Sequence, residues 1–213
     1  MSGLPARLLV VTDRSASDAP AVAAGHLCAT LERLLRAGAR WVWFRERDLA
    51  PEARRALARD IARLVQAEGG SLTIGADAAL AAELGADGVH LPGGSTATGI
   101  AEARRRLPGG RIGVSAHTPD EVAVAARAGA DYATLSPIFP TPSKPGYGPA
   151  LGAEALRTAA GFGMPVIALG GMTVDRVDLC RAAGAAGVAV MGALMRSVDP
   201  ASEVRAYRAR LET

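Results

Sequence analysis

Three histidines, one lysine and a few glycines limit the chemistry open to this chain. His117 stands two residues after Ser115 and directly before Thr118-Pro119-Asp120, which reads as the start of a helix. A histidine beside a helix N-terminus is held neutral by the positive end of the dipole, which suits a general base. Capping or loop packing is the competing reading. His26 lies inside an amphipathic segment and His90 ends a short apolar run, and both read as structural. Lys144 is the only lysine among 24 basic residues, in the run Pro140-Thr141-Pro142-Ser143-Lys144-Pro145-Gly146-Tyr147-Gly148. There Thr141, Ser143 and Lys144 offer two hydroxyls and an ammonium to an anion; an ordinary surface loop of turn residues is the alternative. Gly170-Gly171 and Gly192 each follow an apolar run, where bare backbone amides can approach a phosphate.

These residues need a scaffold, and its elements are legible. Short apolar runs of strand type fall at 8–12, 40–45, 71–74, 88–91, 111–115, 132–135, 165–169 and 187–191. Between them, segments near 21–37, 51–67, 77–84, 98–107, 119–128, 152–160 and 173–183 carry apolar residues every three or four positions, with a last one near 200–211. A four-residue phrase recurs at Ala37-Gly38-Ala39-Arg40, Leu84-Gly85-Ala86-Asp87, Ala128-Gly129-Ala130-Asp131 and Ala183-Gly184-Ala185-Ala186. In each copy a glycine closes a helix just before the next strand. Eight alternating units predict an α/β fold, a (β/α)8 TIM barrel forming a single domain over residues 1–213. An open doubly wound sheet is the second choice, but no GxGxxG follows the first strand. A barrel puts its chemistry at the C-terminal strand ends, where Asp13-Arg14, Arg45-Glu46-Arg47, Ser115-Ala116-His117 and the two glycine sites all fall.

Composition narrows the classes further. The chain has 213 residues, 49% of them hydrophobic and 21% charged, enough for one core without staples. Its net charge of +3 is spread over helix faces and only 4% of its residues are aromatic, which argues against nucleic acid. Cys28 and Cys180 lack metal-ligand spacing and read as free thiols. No apolar run is long enough to span a membrane, and a cytoplasmic location is expected.

Together the segments Val11-Thr12-Asp13-Arg14, Trp43-Phe44-Arg45-Glu46-Arg47, Gly85 to Leu91, Gly113 to Thr118, Ser136 to Lys144, Ala168 to Thr173 and Gly187 to Gly192 resemble the thiamin phosphate synthase and TenI superfamily, in order along essentially the whole chain. The resemblance implies a barrel that binds a thiazole phosphate and, in the synthases, an aminopyrimidine diphosphate with magnesium. It places the thiazole phosphate against Thr141, Pro142 and Ser143, the Gly171 amide, and Met191-Gly192. It sets Ser115 against a ring, and Arg45, Arg47 and Lys144 toward the diphosphate, with Arg47 standing where the family has lysine.

The chain departs from that pattern at the metal. The family's Asn-Asp pair aligns with Gly75-Ala76, a later aspartate with Ser95, and the glutamine that reads the pyrimidine with Trp43, which becomes a pocket wall. Asp77 lies one residue off and equally well caps the next helix. The chain has no asparagine and one glutamine, so compositional drift accounts for those two losses, but eleven aspartates remain elsewhere. The leading expectation is therefore a TenI-like enzyme that moves a proton in a thiazole phosphate, with no cofactor. The histidine of that branch aligns with Pro137, which leaves His117 as base, with Lys144 and Arg45 beside it; Asp13 is a further candidate, or an anchor for an arginine. One alternative is the synthase, which brings in magnesium; the other is a non-catalytic binder of thiamin or thiazole phosphate. The partner expected is a small heterocyclic phosphate, with no nucleic acid and no membrane, and a homodimer is left open.

Overall fold

The computed structural model describes residues 3–17, 22–141 and 149–212. Each expected apolar run forms a strand: β1 (Leu8–Val11), β2 (Trp41–Phe44), β3 (Ser71–Gly75), β4 (Gly88–Leu91), β5 (Arg111–Ala116), β6 (Tyr132–Leu135), β7 (Val166–Leu169) and β8 (Gly187–Val190). All pair in parallel in chain order, and β8 closes on β1 with Leu9 opposite Ala189. The result is a (β/α)8 barrel. Its helices are α1 (Ala23–Arg36), α2 (Pro51–Ala67), α3 (Ala78–Glu83), α4 (Ala97–Arg106), α5 (Pro119–Arg127), α6 (Gly152–Ala160), α7 (Val177–Ala182), α8 (Gly192–Met195) and α9 (Pro200–Glu212).

The recurring glycine phrase does what its sequence predicts. Gly38, Gly85, Gly129 and Gly184 all have positive φ. In each copy the following alanine donates its N–H back to the carbonyl five residues earlier, as in Ala39 to Leu34 at 3.0 Å and Ala130 to Ala125 at 3.1 Å. This double-bonded closure satisfies the last helical carbonyls and turns the chain into the next strand. Three features differ from the sequence reading, the first a 3-10 turn at Arg14–Ala16, just beyond β1. The segment expected as one helix over 173–183 opens with a 3-10 turn, Val174–Arg176, before α7 begins. The short α8 was not anticipated, because four residues are too few to display a 3.6-residue period.

Strand residues alternate between two cores. One face packs on the helices, with Val10, Val42, Phe44, Ile74 and Val89 among them. The other fills the barrel with Leu9, Val11, Trp41, Trp43, Tyr132, Ile167 and Ala189. The interior is aromatic and partly polar. Trp41 meets Tyr132 edge-on at 5.0 Å, and its indole N–H donates to Thr73 Oγ1 at 2.9 Å. Gly113 leaves the space that the Tyr132 and His90 rings occupy. His90 is wholly buried, with Nδ1 3.1 Å from the Tyr132 hydroxyl and Nε2 3.1 Å from Ser115 Oγ and 3.2 Å from Thr134 Oγ1. It is thus a core histidine whose polar atoms are all met.

Candidate active site

A cavity of about 790 Å³ opens at the C-terminal ends of the strands, where barrels carry their chemistry. Its wall brings together Trp43, Arg45, Arg47, Ser115, His117 and Thr141, and across the mouth Gly171, Met191 and Gly192. These are residues singled out from sequence. Pro142, Ser143 and Lys144, assigned to the same phosphate and diphosphate sites, lie outside the described residues. Sequence reasoning missed three charged groups in the wall, Glu121, Arg176 and Arg196. Each sits on a helical or turn segment one to five residues beyond a strand-end motif, and on such a face an arginine or glutamate looks like any solvated residue.

At the β7 end, the loop that follows β6 folds over the glycine pair. Gly171 has φ +61°, and a Cβ there would stand 2.8 Å from Phe139 Cβ and 2.9 Å from the Phe139 carbonyl. Glycine is required here by the loop packed above it as well as by any ligand approach. The Gly171 carbonyl accepts from Arg176, whose guanidinium stacks 4.7 Å over the Phe139 ring. Next to it, α8 begins at Gly192, and the first amides of a helix have no acceptor within it. A short extra helix after the eighth strand is the common phosphate position in barrels. Arg196, just beyond α8, pairs with Asp13 at 3.2 Å across the mouth.

His117 is positioned by two backbone contacts. Its N–H donates to Glu121 Oε2 at 2.6 Å, while Thr118 Oγ1 caps α5 by accepting from the Glu121 N–H at 3.2 Å. Its ring Nδ1 lies 2.8 Å from the Ser136 carbonyl. A carbonyl only accepts, so Nδ1 carries the hydrogen and the lone pair of the neutral ring is on Nε2. Ser115 Oγ, in the cavity wall, is held by His90 from beneath.

The β2 end is different in character. Trp43 is 2% exposed and stacks on His90 with ring centroids 3.9 Å apart. Its indole N–H has no acceptor among the described residues and lies against Gly75, where a Cβ would come within 3.0 Å of Nε1 and 2.9 Å of the Phe44 carbonyl. Trp43 and a side chain at position 75 exclude one another. Arg45 is held through its backbone by Thr12 Oγ1 at 2.9 Å, and its guanidinium reaches Met191 Sδ at 4.0 Å. Arg47 sits below the ordinary arginine range because of partial burial and the Arg45 and Arg54 charges, yet remains a cation at neutral pH. Among the described residues neither Arg45 nor Arg47 forms an ion pair with a carboxylate.

The magnesium implied by the family resemblance finds no ligand set. Asp77, just beyond the C-terminal end of β3, accepts from Arg54 at 2.8 Å and caps α3 through the Leu80 N–H at 2.9 Å. Arg54 also donates to the Gly75 and Glu46 carbonyls, at 2.7 and 2.9 Å, so a guanidinium already takes these oxygens. Ser95 donates to the Pro92 carbonyl at 2.7 Å. Among the described residues no three His, Cys, Asp or Glu side chains converge as a metal site would require. The residues present do not fit the ion.

Four arginines and one glutamate line the wall of this strand-end cavity, which makes the chain a (β/α)8 barrel with a predominantly cationic mouth. The comparisons narrow that class. The model of the thiamine monophosphate synthase (TMP-TENI) family matches residues 8–194, and the chain belongs to this family. It is similar to a putative thiamine-phosphate synthase of Geobacter sulfurreducens, 39% identical over 96% of this chain and 93% of that one. It is also similar to the thiamine-phosphate synthase of Bacillus licheniformis, 33% identical over 89% of this chain and 86% of that one. Among solved structures, a thiamine phosphate pyrophosphorylase from Pyrococcus furiosus shares the fold, with TM-score 0.82 and 24% identity over 97% of this chain and 95% of that one. These relatives carry synthase names, and the tautomerase branch expected from sequence is not singled out by them.

Proposed function

We propose that the protein joins a thiazole phosphate to an aminopyrimidine carried as its diphosphate, forming thiamine phosphate. In this reading the bond from the pyrimidine methylene to the diphosphate oxygen breaks, the diphosphate leaves with the electron pair, and the thiazole nitrogen bonds the methylene carbon. The observation that carries it is one cavity with two ends suited to anions: Arg45 and Arg47, which meet no carboxylate among the described residues, at β2, and Gly171 and Gly192 with Arg176 and Arg196 at β7 and β8. An enzyme acting on a single phosphate needs only one such end. Ser115, steadied by His90, orients a ring between them. Arg45 and Arg47 stabilise charge as it grows on the leaving group, the task that preorganised cations perform in group transfer. The synthase names of the relatives support the same reading.

A second reading, proton rearrangement of a thiazole phosphate, is favoured by Trp43, whose indole takes space at the end of the pocket where the pyrimidine would lie. There His117 Nε2 would take and return the proton. Incubation with both synthase substrates distinguishes the two. The proposal expects thiamine phosphate, and a kcat/KM lowered roughly ten- to hundred-fold in Arg47→Ala, in keeping with loss of a charge-assisted hydrogen bond. No product at high enzyme concentration, together with accelerated interconversion of carboxythiazole phosphate tautomers, replaces it with the second reading. Tight binding of thiazole phosphate with neither reaction would leave a binding protein.

A further inference from the structure

We infer that the diphosphate end of this pocket binds its ligand directly on guanidinium groups, without a magnesium ion between protein and phosphate. This rests on the synthase reading and concerns how its leaving group is held. Charge is distributed unevenly around the barrel mouth. Among the described residues, Asp13, Asp48, Asp77, Glu46 and Glu121 beside the cavity each already serve a donor of this chain. Asp13 accepts from Arg196 and from the Ser15 N–H, Asp48 from Arg14 at 2.6 Å, and Asp77 from Arg54 at 2.8 Å. Glu46 is buried and turned to the Arg14 N–H, with its two oxygens at 3.2 and 3.3 Å. Glu121 accepts from the His117 N–H at 2.6 Å. A divalent cation would have to displace one of these contacts to gain any of these five carboxylates, and hard cations bind through several oxygens at once.

The cations show the opposite pattern. Arg45 and Arg47 line the cavity, and among the described residues neither meets a carboxylate. Two guanidiniums two residues apart in the chain, bound to no carboxylate among the described residues and with only a thioether contact from Arg45 to Met191, match the oxygens of a diphosphate, which such planar forks bind in bidentate fashion. The Trp43 and Gly75 pair closes the floor beside them: the indole fills the space, and position 75 has no side chain to offer a metal. Magnesium in solution then competes with the arginines for the same phosphate oxygens. A magnesium-bound diphosphate also arrives with two fewer negative charges, so the metal weakens binding here instead of assisting it.

Inorganic pyrophosphate is the probe, titrated calorimetrically into the full chain, first in a chelator and then with magnesium in excess. The expected result is saturable binding in chelator, a dissociation constant that does not tighten with magnesium, and a weakening of about ten-fold or more in Arg47→Ala and in Arg45→Ala. Arg47→Lys, which keeps the charge and loses the fork, is expected to fall between. Binding that appears only with magnesium, or that tightens ten-fold with it, overturns the inference. So does binding in chelator that both alanine variants leave unchanged. The coupling assay separates this failure from that of the function itself. Metal-free pyrophosphate binding without coupling removes the synthase reading and keeps the arginine site; coupling and pyrophosphate binding that both require magnesium do the reverse.

Discussion

Acid should unfold this protein through one buried ring. His90 is fully enclosed between Trp43, Tyr132 and Thr134, and burial pushes its pKa down to about 3, with the Arg47 and Arg45 charges adding to the effect. In the unfolded chain a histidine titrates near the ordinary value of about 6.5. Below that pH the unfolded state takes up a proton that the folded state refuses, so stability is intact above about 6.5 and falls as the pH drops toward 3. The slope is about 1.4 kcal/mol per pH unit, so at pH 5 the ring alone has removed about 2 kcal/mol. That corresponds to a melting point lower by roughly 4–8 °C for a domain of this size. Glu46 acts in the other direction, since burial raises its pKa and its folded form gains a proton first as the pH falls. The measurement is therefore a difference. Urea unfolding of the wild type and of His90→Gln at pH 7 and pH 5 cancels the contribution of Glu46, which both proteins share. The variant starts less stable because contacts to Ser115, Thr134 and Tyr132 are altered, but it should lose about 2 kcal/mol less between the two pH values. Parallel losses in the two proteins would show that the ring is not the group being titrated, and the account of the barrel interior would fail with it.

Two backbone exchanges should move stability in opposite directions. Gly171→Ala combines a left-handed φ of +61° with a Cβ 2.8 Å from Phe139 Cβ, and should cost about 2–5 kcal/mol in urea unfolding while also weakening phosphate binding. A near-neutral result would mean that the loop after β6 does not rest on the glycine pair. Ala76→Gly relieves the one described non-glycine residue at positive φ, +59°, and the gain outweighs the added flexibility of the unfolded chain. The expected outcome is up to about 1 kcal/mol of added stability, read as a melting point roughly 2–4 °C higher, and a lower melting point would contradict it.

Ala76 also shows how far a sequence can be read. A strained alanine at a strand end, next to the Trp43 and Gly75 exchange, is invisible in the residue string and plain in the dihedral angles. The eight strands, the glycine closures at Gly38, Gly85, Gly129 and Gly184, and the placement of Ser115, His117 and Gly171 at the mouth could all be read from the chain itself. Hydrophobic period, turn chemistry and helix closure are set by residues within a few positions of one another, and barrel geometry then determines which strand ends face the site. What only the tertiary structure decided is which charge meets which. Asp77 is taken by Arg54 from 23 positions away, and Asp13 by Arg196 from 183 positions away, while Arg45 and Arg47, beside the same loops, meet no acid among the described residues. The same holds for His90 on β4, whose contacts come from Ser115 on β5 and from Tyr132 and Thr134 on β6, across the barrel interior. Electrostatic pairing depends on distance in space and on what surrounds each group, and neither is determined until the barrel closes.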